Sequence, residues 1–110
     1  MQVNVEELKR LAEAALWTGR WYNGGCETLM GTYGDNSEFC ESHGEIAYPF
    51  PLGIVPYLVE AQPAAILELI RQRDELLAAL REIAEWTERY TTPGHPISTA
   101  ARAVIAKVEG

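Results

Sequence analysis

An apolar stripe along the second half of the chain constrains the fold more than any other feature of the sequence. Its members recur at intervals of three and four, the spacing of one helical face. They are Ile66, Leu67, Leu69, Ile70, Leu76, Leu77, Leu80, Ile83 and Ala84. Pro63 is well placed as the first helical residue, where its missing N–H has no intrahelical partner to lose. The pattern predicts a long amphipathic helix from about Pro63 to Tyr90.

A second helix follows after a turn. The turn spans residues 91–96 and contains two prolines and a glycine, which favour a change of direction. Apolar residues with helical spacing then predict a helix from about Pro96 to Val108, so that the two helices form a hairpin. The long helix would extend about 40 Å, more than a domain of this size needs to span its core. We therefore expect a homo-oligomer, a dimer, that associates through the long helix.

The first half of the chain predicts one helix and a small sheet. Residues 5–16 have helical apolar spacing, Asn4 is a suitable N-cap, and Gly19 is a suitable stop. Short alternating segments between glycine-rich turns predict strands near residues 20–22, 27–33 and 45–48. The proline-rich run 49–56 reads as a connector and not as a helix interior. The predicted fold class is α+β, with an N-terminal helix, an antiparallel sheet of two or three strands, and the C-terminal hairpin.

Length and hydropathy favour a single domain. A chain of 110 residues, 47% hydrophobic, can cover one core. We expect residues 1–18 to form the helix, 19–56 the strands and loops, and 57–110 the hairpin. The sequence has no run of about 18 apolar residues, and Glu6 and Glu7 stand where a leader would be basic. These features predict no membrane segment and a cytoplasmic location.

The acidic charge is concentrated in the middle of the chain. Residues 31–62 contain five acids and no Lys or Arg, within a net charge of −7 for the whole protein. Direct nucleic-acid binding is improbable because phosphate contacts need basic side chains. A cationic partner fits better, although a solvated acidic loop that only maintains solubility gives the same pattern.

Aromatic residues are concentrated in the same region. Eight of the ten lie between Trp17 and Tyr57. Some will fill the core, and those left exposed would anchor a protein interface or line a small-ligand pocket. The candidate partner-binding residues are Tyr33, Asp35, Glu38, Phe39, Glu41, Glu45 and Tyr48.

No catalytic residue, cofactor site or metal site is assigned from the sequence. Cys26, Cys40 and His43 form the one short-range cluster of metal-ligand types, with His95 or Glu41 as a possible fourth ligand. Their spacing lacks the two close pairs typical of structural zinc, so reduced thiols, a disulfide and a zinc-stabilised module all stay open. Neither a nucleophile turn nor a phosphate-binding glycine pattern is present, which favours a protein that is not an enzyme.

Residues 60–70 read EAQPAAILELI, and residues 7–15 form an apolar helical segment followed by Thr18, Gly19 and Trp21. The first stretch resembles the helix start, and the second the opening helix and turn, of the Ead-like accessory proteins of temperate phages. Residues 75–80 and 95–107 are similar to tails common in small phage proteins. The resemblance implies a phage or prophage accessory gene whose product acts in the cytoplasm of a bacterial host.

Two functions follow as hypotheses. The first is a non-enzymatic, anti-CRISPR-like inhibitor that binds a host protein with a basic surface through its acidic and aromatic residues. The second is a protein that sequesters a small nucleotide-like ligand, which the lack of basic residues in the middle segment disfavours.

Overall fold

A computed structural model describes residues 3–33 and 44–109 of the chain. The elements are α1 (Val5–Ala15), β1 (Trp21–Asn23), β2 (Leu29–Gly31), β3 (Gly44–Ala47), α2 (Ile54–Glu60), α3 (Pro63–Tyr90) and α4 (Pro96–Glu109). The predicted α+β class is confirmed. The chain divides into two compact units, residues 1–70 and 71–110, and the boundary falls within α3.

The first helix begins and ends where the sequence predicts. The Asn4 side chain accepts a hydrogen bond from the backbone N–H of Glu7 (3.0 Å), which caps the first turn of α1. A 3₁₀ turn over Leu16–Thr18 continues the helix to Gly19, whose φ of +73° favours glycine. The predicted apolar stripe is only partly buried: Ala12 is buried, whereas Leu11 remains about half exposed.

The three strands form an antiparallel sheet in the order β1-β2-β3. Trp21 is opposite Gly31 in β1 and β2, and Leu29 of the central strand is opposite Ala47 of β3. Leu29 is 1% exposed and contributes to the core. The prediction that β2 begins at Glu27 is wrong. Glu27 has a φ of +58° in the turn between β1 and β2, a conformation that cannot continue a strand.

The helix α2 packs against β1 and β2. Val55 is 1% exposed and anchors this helix in the core of the first unit. The sequence predicts a connector over residues 49–56 followed by a short helical turn around residues 57–61. The structure has this helix, but it begins earlier than predicted, at Ile54, and includes Pro56. Pro56 lies in the first turn, where backbone N–H groups have no intrahelical acceptor and proline is tolerated.

The second unit is a helical hairpin. Arg102 of α4 donates to Glu88 of α3 (2.8 Å), and Arg81 of α3 forms an ion pair with Glu109 of α4. From the first pair to the second, the residue number rises along α4, from 102 to 109, and falls along α3, from 88 to 81. The two helices are therefore antiparallel. The helix bounds agree with the predictions, α4 continuing one residue beyond the expected Val108.

The apolar stripe of α3 is divided between buried and exposed residues. Ile70, Leu77 and Ala84 are buried at intervals of seven. Leu76 and Ile83, by contrast, are 67% and 48% exposed, so packing within the described chain leaves part of the stripe uncovered. Across residues 3–33 and 44–109, every helix falls short of the combined length and apolarity that crossing a membrane requires.

Candidate functional site

An exposed pair of aromatic rings lies on the first unit. Trp17 belongs to the 3₁₀ turn after α1, and Tyr33 follows β2; their ring centroids are 5.2 Å apart at an interplanar angle of 69°. This edge-to-face arrangement is a favourable one for aromatic rings. Trp17 nevertheless remains 69% exposed and Tyr33 37% exposed. A large aromatic surface is therefore held in a defined orientation and open to solvent.

The third strand holds Tyr33 in place. The Tyr33 hydroxyl donates a hydrogen bond to the backbone carbonyl of Glu45 (3.1 Å). Its ring lies directly over Gly44, where a Cβ atom would come within 2.1 Å of the tyrosine Cζ. Glycine at this position thus permits the close approach of ring and backbone. We call Trp17, Tyr33 and Glu45 together the Trp17 surface.

Three of the seven predicted partner-binding residues are described by the structure. Tyr33 and Glu45 are brought together, and the Glu45 residue is exposed. Tyr48 follows the end of β3 and is 59% exposed. The remaining four predicted residues lie outside the described residues. They are Asp35, Glu38, Phe39 and Glu41.

Trp17 belongs to the aromatic region of the sequence but is not among the predicted partner-binding residues. A signal was present, because Trp17 comes immediately before the predicted helix stop, after the last position of the apolar stripe. An aromatic residue placed there has no further turn of the same helix to pack against. Its contact with Tyr33, 16 positions away, depends on the tertiary structure.

The predicted metal-ligand cluster is described only in part. Cys26 is exposed in the β1–β2 turn, and Cys40 and His43 lie outside the described residues. Within the described part of the chain, no three His, Cys, Asp or Glu side chains are grouped to hold a metal ion. His95 has a structural use instead. Its Nδ1 accepts a hydrogen bond from the Ile97 backbone N–H (3.2 Å), which caps the start of α4.

An open groove of about 590 Å³ lies on the second unit. Trp86 contributes an exposed ring to it, and this ring lies 5.2 Å from the ring of Tyr90. The groove is lined by Glu82, Ile83, Glu85, Trp86, Thr87, Arg89 and Ile97. Its floor is apolar and its charged residues include two acids and one base.

Two exposed glutamates that pair with arginines have shifted pKa values. Hydrogen bonding to Arg102 lowers the pKa of Glu88 below its ordinary value, and Arg10 does the same to the pKa of Glu7. Such shifts arise because the arginine stabilises the ionised carboxylate. They do not by themselves indicate an acid–base catalyst.

Comparisons with protein-family models, curated proteins and solved structures found no match to this chain. The resemblance to Ead-like accessory proteins therefore stays a prediction from the sequence motifs.

Proposed function

We propose that the protein is a phage-encoded, non-enzymatic accessory protein that binds and inhibits a host protein through the Trp17 surface. The observation that carries this proposal is the exposed Trp17–Tyr33 pair. Tryptophan and tyrosine are the residues most enriched where a few side chains supply most of the binding energy of an interface. The phage origin and the location in the host cytoplasm follow from the sequence resemblance alone.

The Trp17 surface is already ordered before a partner binds. Tyr33 is restrained at its hydroxyl by Glu45 and at its ring by contact with Trp17. Each such side chain that is immobilised on binding costs about 0.5–1.5 kcal/mol when it is mobile in the free protein. Prior restraint reduces this cost, so the exposed aromatic area contributes more of its burial energy to affinity.

The charge of the region favours a basic partner. Glu45 adds an exposed acid beside Tyr33, and residues 31–62 contain no Lys or Arg. Aromatic faces attract Arg and Lys side chains, by about 0.5–2 kcal/mol depending on how fully the cation loses its water. Complementary charge also speeds association with a basic surface and rejects acidic ones. The partner that this chemistry recognises is a host protein with a basic, arginine-containing surface.

The experiment compares capture of host proteins by the wild-type chain and by the Trp17→Ala variant. Each protein is immobilised and incubated with bacterial lysate, and the retained proteins are quantified by mass spectrometry. We expect a host protein whose retention falls at least about ten-fold in the variant, since a central tryptophan contributes about 2 kcal/mol or more. That protein is then purified, and its activity is measured with and without the wild-type chain.

Two further variants test whether binding depends on a charge within the Trp17 surface or only on the net charge of the protein. Glu45→Lys reverses a charge within the Trp17 surface, whereas Glu60→Lys makes the same change at an exposed residue that ends α2. The proposal expects a large loss of binding for the first and a small one for the second. Equal retention by wild type and Trp17→Ala, or a captured protein whose activity is unaffected, would show the proposal to be wrong.

The groove on the second unit offers the observation closest to the small-ligand alternative. Its volume is within the usual 300–1,000 Å³ range of ligand pockets. Glu82 and Glu85 among its lining residues would repel a phosphate group, so a nucleotide fits it poorly. This charge pattern leaves the host-protein inhibitor as the better-supported function.

A further inference from the structure

The helix α3 carries a second apolar line that its own unit does not cover. Leu76, Ala79, Ile83, Trp86 and Tyr90 follow one another at intervals of three, four, three and four residues. This is the spacing of the contact positions in a coiled coil. The four large members are between 48% and 67% exposed, whereas Leu77 and Ala84, on the neighbouring face, are buried in the hairpin. We call these five residues the open seam.

The exposed apolar surface continues onto α4. Ile97 is 54% exposed and lines the same groove as Ile83 and Trp86. Val104 and Val108, further along α4, are 46% and 41% exposed. A hairpin of two helices can bury one layer between them, and here large apolar side chains remain outside that layer. An exposed surface of this kind marks an interaction site.

We propose that a second copy of this chain covers the open seam, the two hairpins packing into a four-helix bundle around a two-fold axis near Arg81. The two α3 helices are antiparallel. With this axis, Leu76 packs against the partner's Trp86, and Ala79 packs against the partner's Ile83. The small Ala79 then faces the large Ile83 at the centre of the seam, a combination that helps to fill an interface without voids.

Charges beside the seam distinguish the antiparallel from the parallel arrangement. In the antiparallel one, Glu75 lies opposite the partner's Arg89, and the symmetry creates this ion pair twice, against a single contact between Glu82 and the partner's Glu82 at the axis. Glu75 also pairs with Arg71 of its own helix, an exposed contact that is easily shared. In the parallel arrangement, Glu75 would face the partner's Leu80 and Glu82 would face the partner's Thr87. No interhelical ion pair forms there, and charge complementarity favours the antiparallel dimer.

The dimensions of the hairpin suit a stable dimer. From Gln72 to Tyr90 the helix rises about 27 Å at ~1.5 Å per residue. Two helices packed about 9 Å apart present a face of the order of 20 Å wide. Such a face covers about 500 Å² in projection, and because its side chains add accessible area it approaches the roughly 800 Å² per partner of a standard protein interface. The proposal is independent of the host partner, because the open seam belongs to the second unit and the Trp17 surface to the first.

The first test uses two adjacent alanines. Ala78 and Ala79 are both exposed on α3, and only Ala79 belongs to the open seam. Sedimentation equilibrium of the full chain is expected to give twice the protomer mass of 12.2 kDa for the wild type and for Ala78→Glu. Ala79→Glu is expected to give the protomer mass with unchanged helical circular dichroism. A wild-type monomer up to 100 µM, or equal effects of the two substitutions, would overturn the proposal.

The second test addresses the direction of the helices. Glu75→Arg places two arginines opposite each other at both ends of the antiparallel interface, and the dissociation constant is expected to rise about ten-fold. The double variant Glu75→Arg, Arg89→Glu restores both ion pairs with the two charges exchanged. It is expected to return the dissociation constant of the dimer to near the wild-type value. Failure of the second substitution to restore dimerisation would exclude the antiparallel arrangement.

Discussion

The side chain of Gln62 connects the start of α3 to the edge strand β1, and its removal provides a sharp test of the first unit. Its Oε1 accepts a hydrogen bond from the Trp21 backbone N–H (3.0 Å). Its Nε2 donates to the Trp21 carbonyl (3.3 Å) and to the Val59 carbonyl (2.7 Å). The amide therefore acts toward Trp21 as a neighbouring strand would, and it satisfies backbone groups on the open side of β1.

The expected loss in the Gln62→Ala variant follows from these three hydrogen bonds. Each contributes about 0.5–1.5 kcal/mol net to the free energy of unfolding. Gln62 is only half-buried, so water can reach part of the vacated space and limits the loss. We expect a decrease of about 2–3 kcal/mol in the free energy of unfolding, which lowers Tm by about 10 °C in a chain of this size.

The assay is thermal and urea unfolding of the full chain, followed by tryptophan fluorescence. Gln62→Glu serves as the second variant. At pH 7 its carboxylate still accepts from Trp21 N–H but repels the two carbonyl oxygens, whereas protonation near pH 4 restores one donor. Relative to wild type at the same pH, this variant should be destabilised at pH 7 and partly recovered at pH 4. A Tm for Gln62→Ala within about 2 °C of wild type would show that these three hydrogen bonds do not stabilise the first unit.

Two further predictions concern the core of the first unit and the hairpin. Leu29→Ala should lower the free energy of unfolding by about 3 kcal/mol because Leu29 is 1% exposed. Leu52→Ala, at a residue that is 89% exposed, should change it by less than about 0.5 kcal/mol. Equal effects of the two substitutions in urea unfolding would contradict this placement of the core. Hydrogen bonding to Arg102 lowers the pKa of Glu88 in the folded protein. The ion pair therefore stabilises the fold fully above the ordinary glutamate pKa of about 4.3, and this stabilisation is lost as the pH falls through the lower pKa of the folded state. Urea unfolding should therefore show Glu88→Gln less stable than wild type at pH 7, with the difference closing toward pH 3; a difference independent of pH would show that the ion pair does not stabilise the hairpin.

The sequence predicted the helices more accurately than the strands. Pro63, Asn4 and Gly19 act on backbone groups within one or two turns, so their effect is readable without knowledge of the fold. The strands are three or four residues long, too short for a periodic pattern to define their ends. Glu27 illustrates the difficulty, because its positive φ is imposed by the tight turn and not by its own preference.

The candidate site was predictable in composition but not in geometry. An excess of acids and aromatics between Trp17 and Tyr57 is evident in the sequence and directs attention to this region. The contact of Trp17 with Tyr33 and the anchoring of Tyr33 by Glu45 join separate elements. Side-chain contacts of this kind depend on how the sheet pairs, which sequence spacing does not specify.

In the long helix α3, sequence periodicity predicts the apolar face, and packing against other elements decides which part of that face is buried. Periodicity alone predicts that residues 63–90 are helical and apolar over a broad face, because it fixes the angular position of every side chain on a helix. The burial of Leu77 and Ala84 and the exposure of Leu76 and Ile83 depend on packing between elements and are visible only in the folded structure. The stripe is wider than one neighbouring helix can cover, so burial depends on where α4 packs. That placement, set by contacts between distant residues such as Glu88 and Arg102, leaves the open seam exposed.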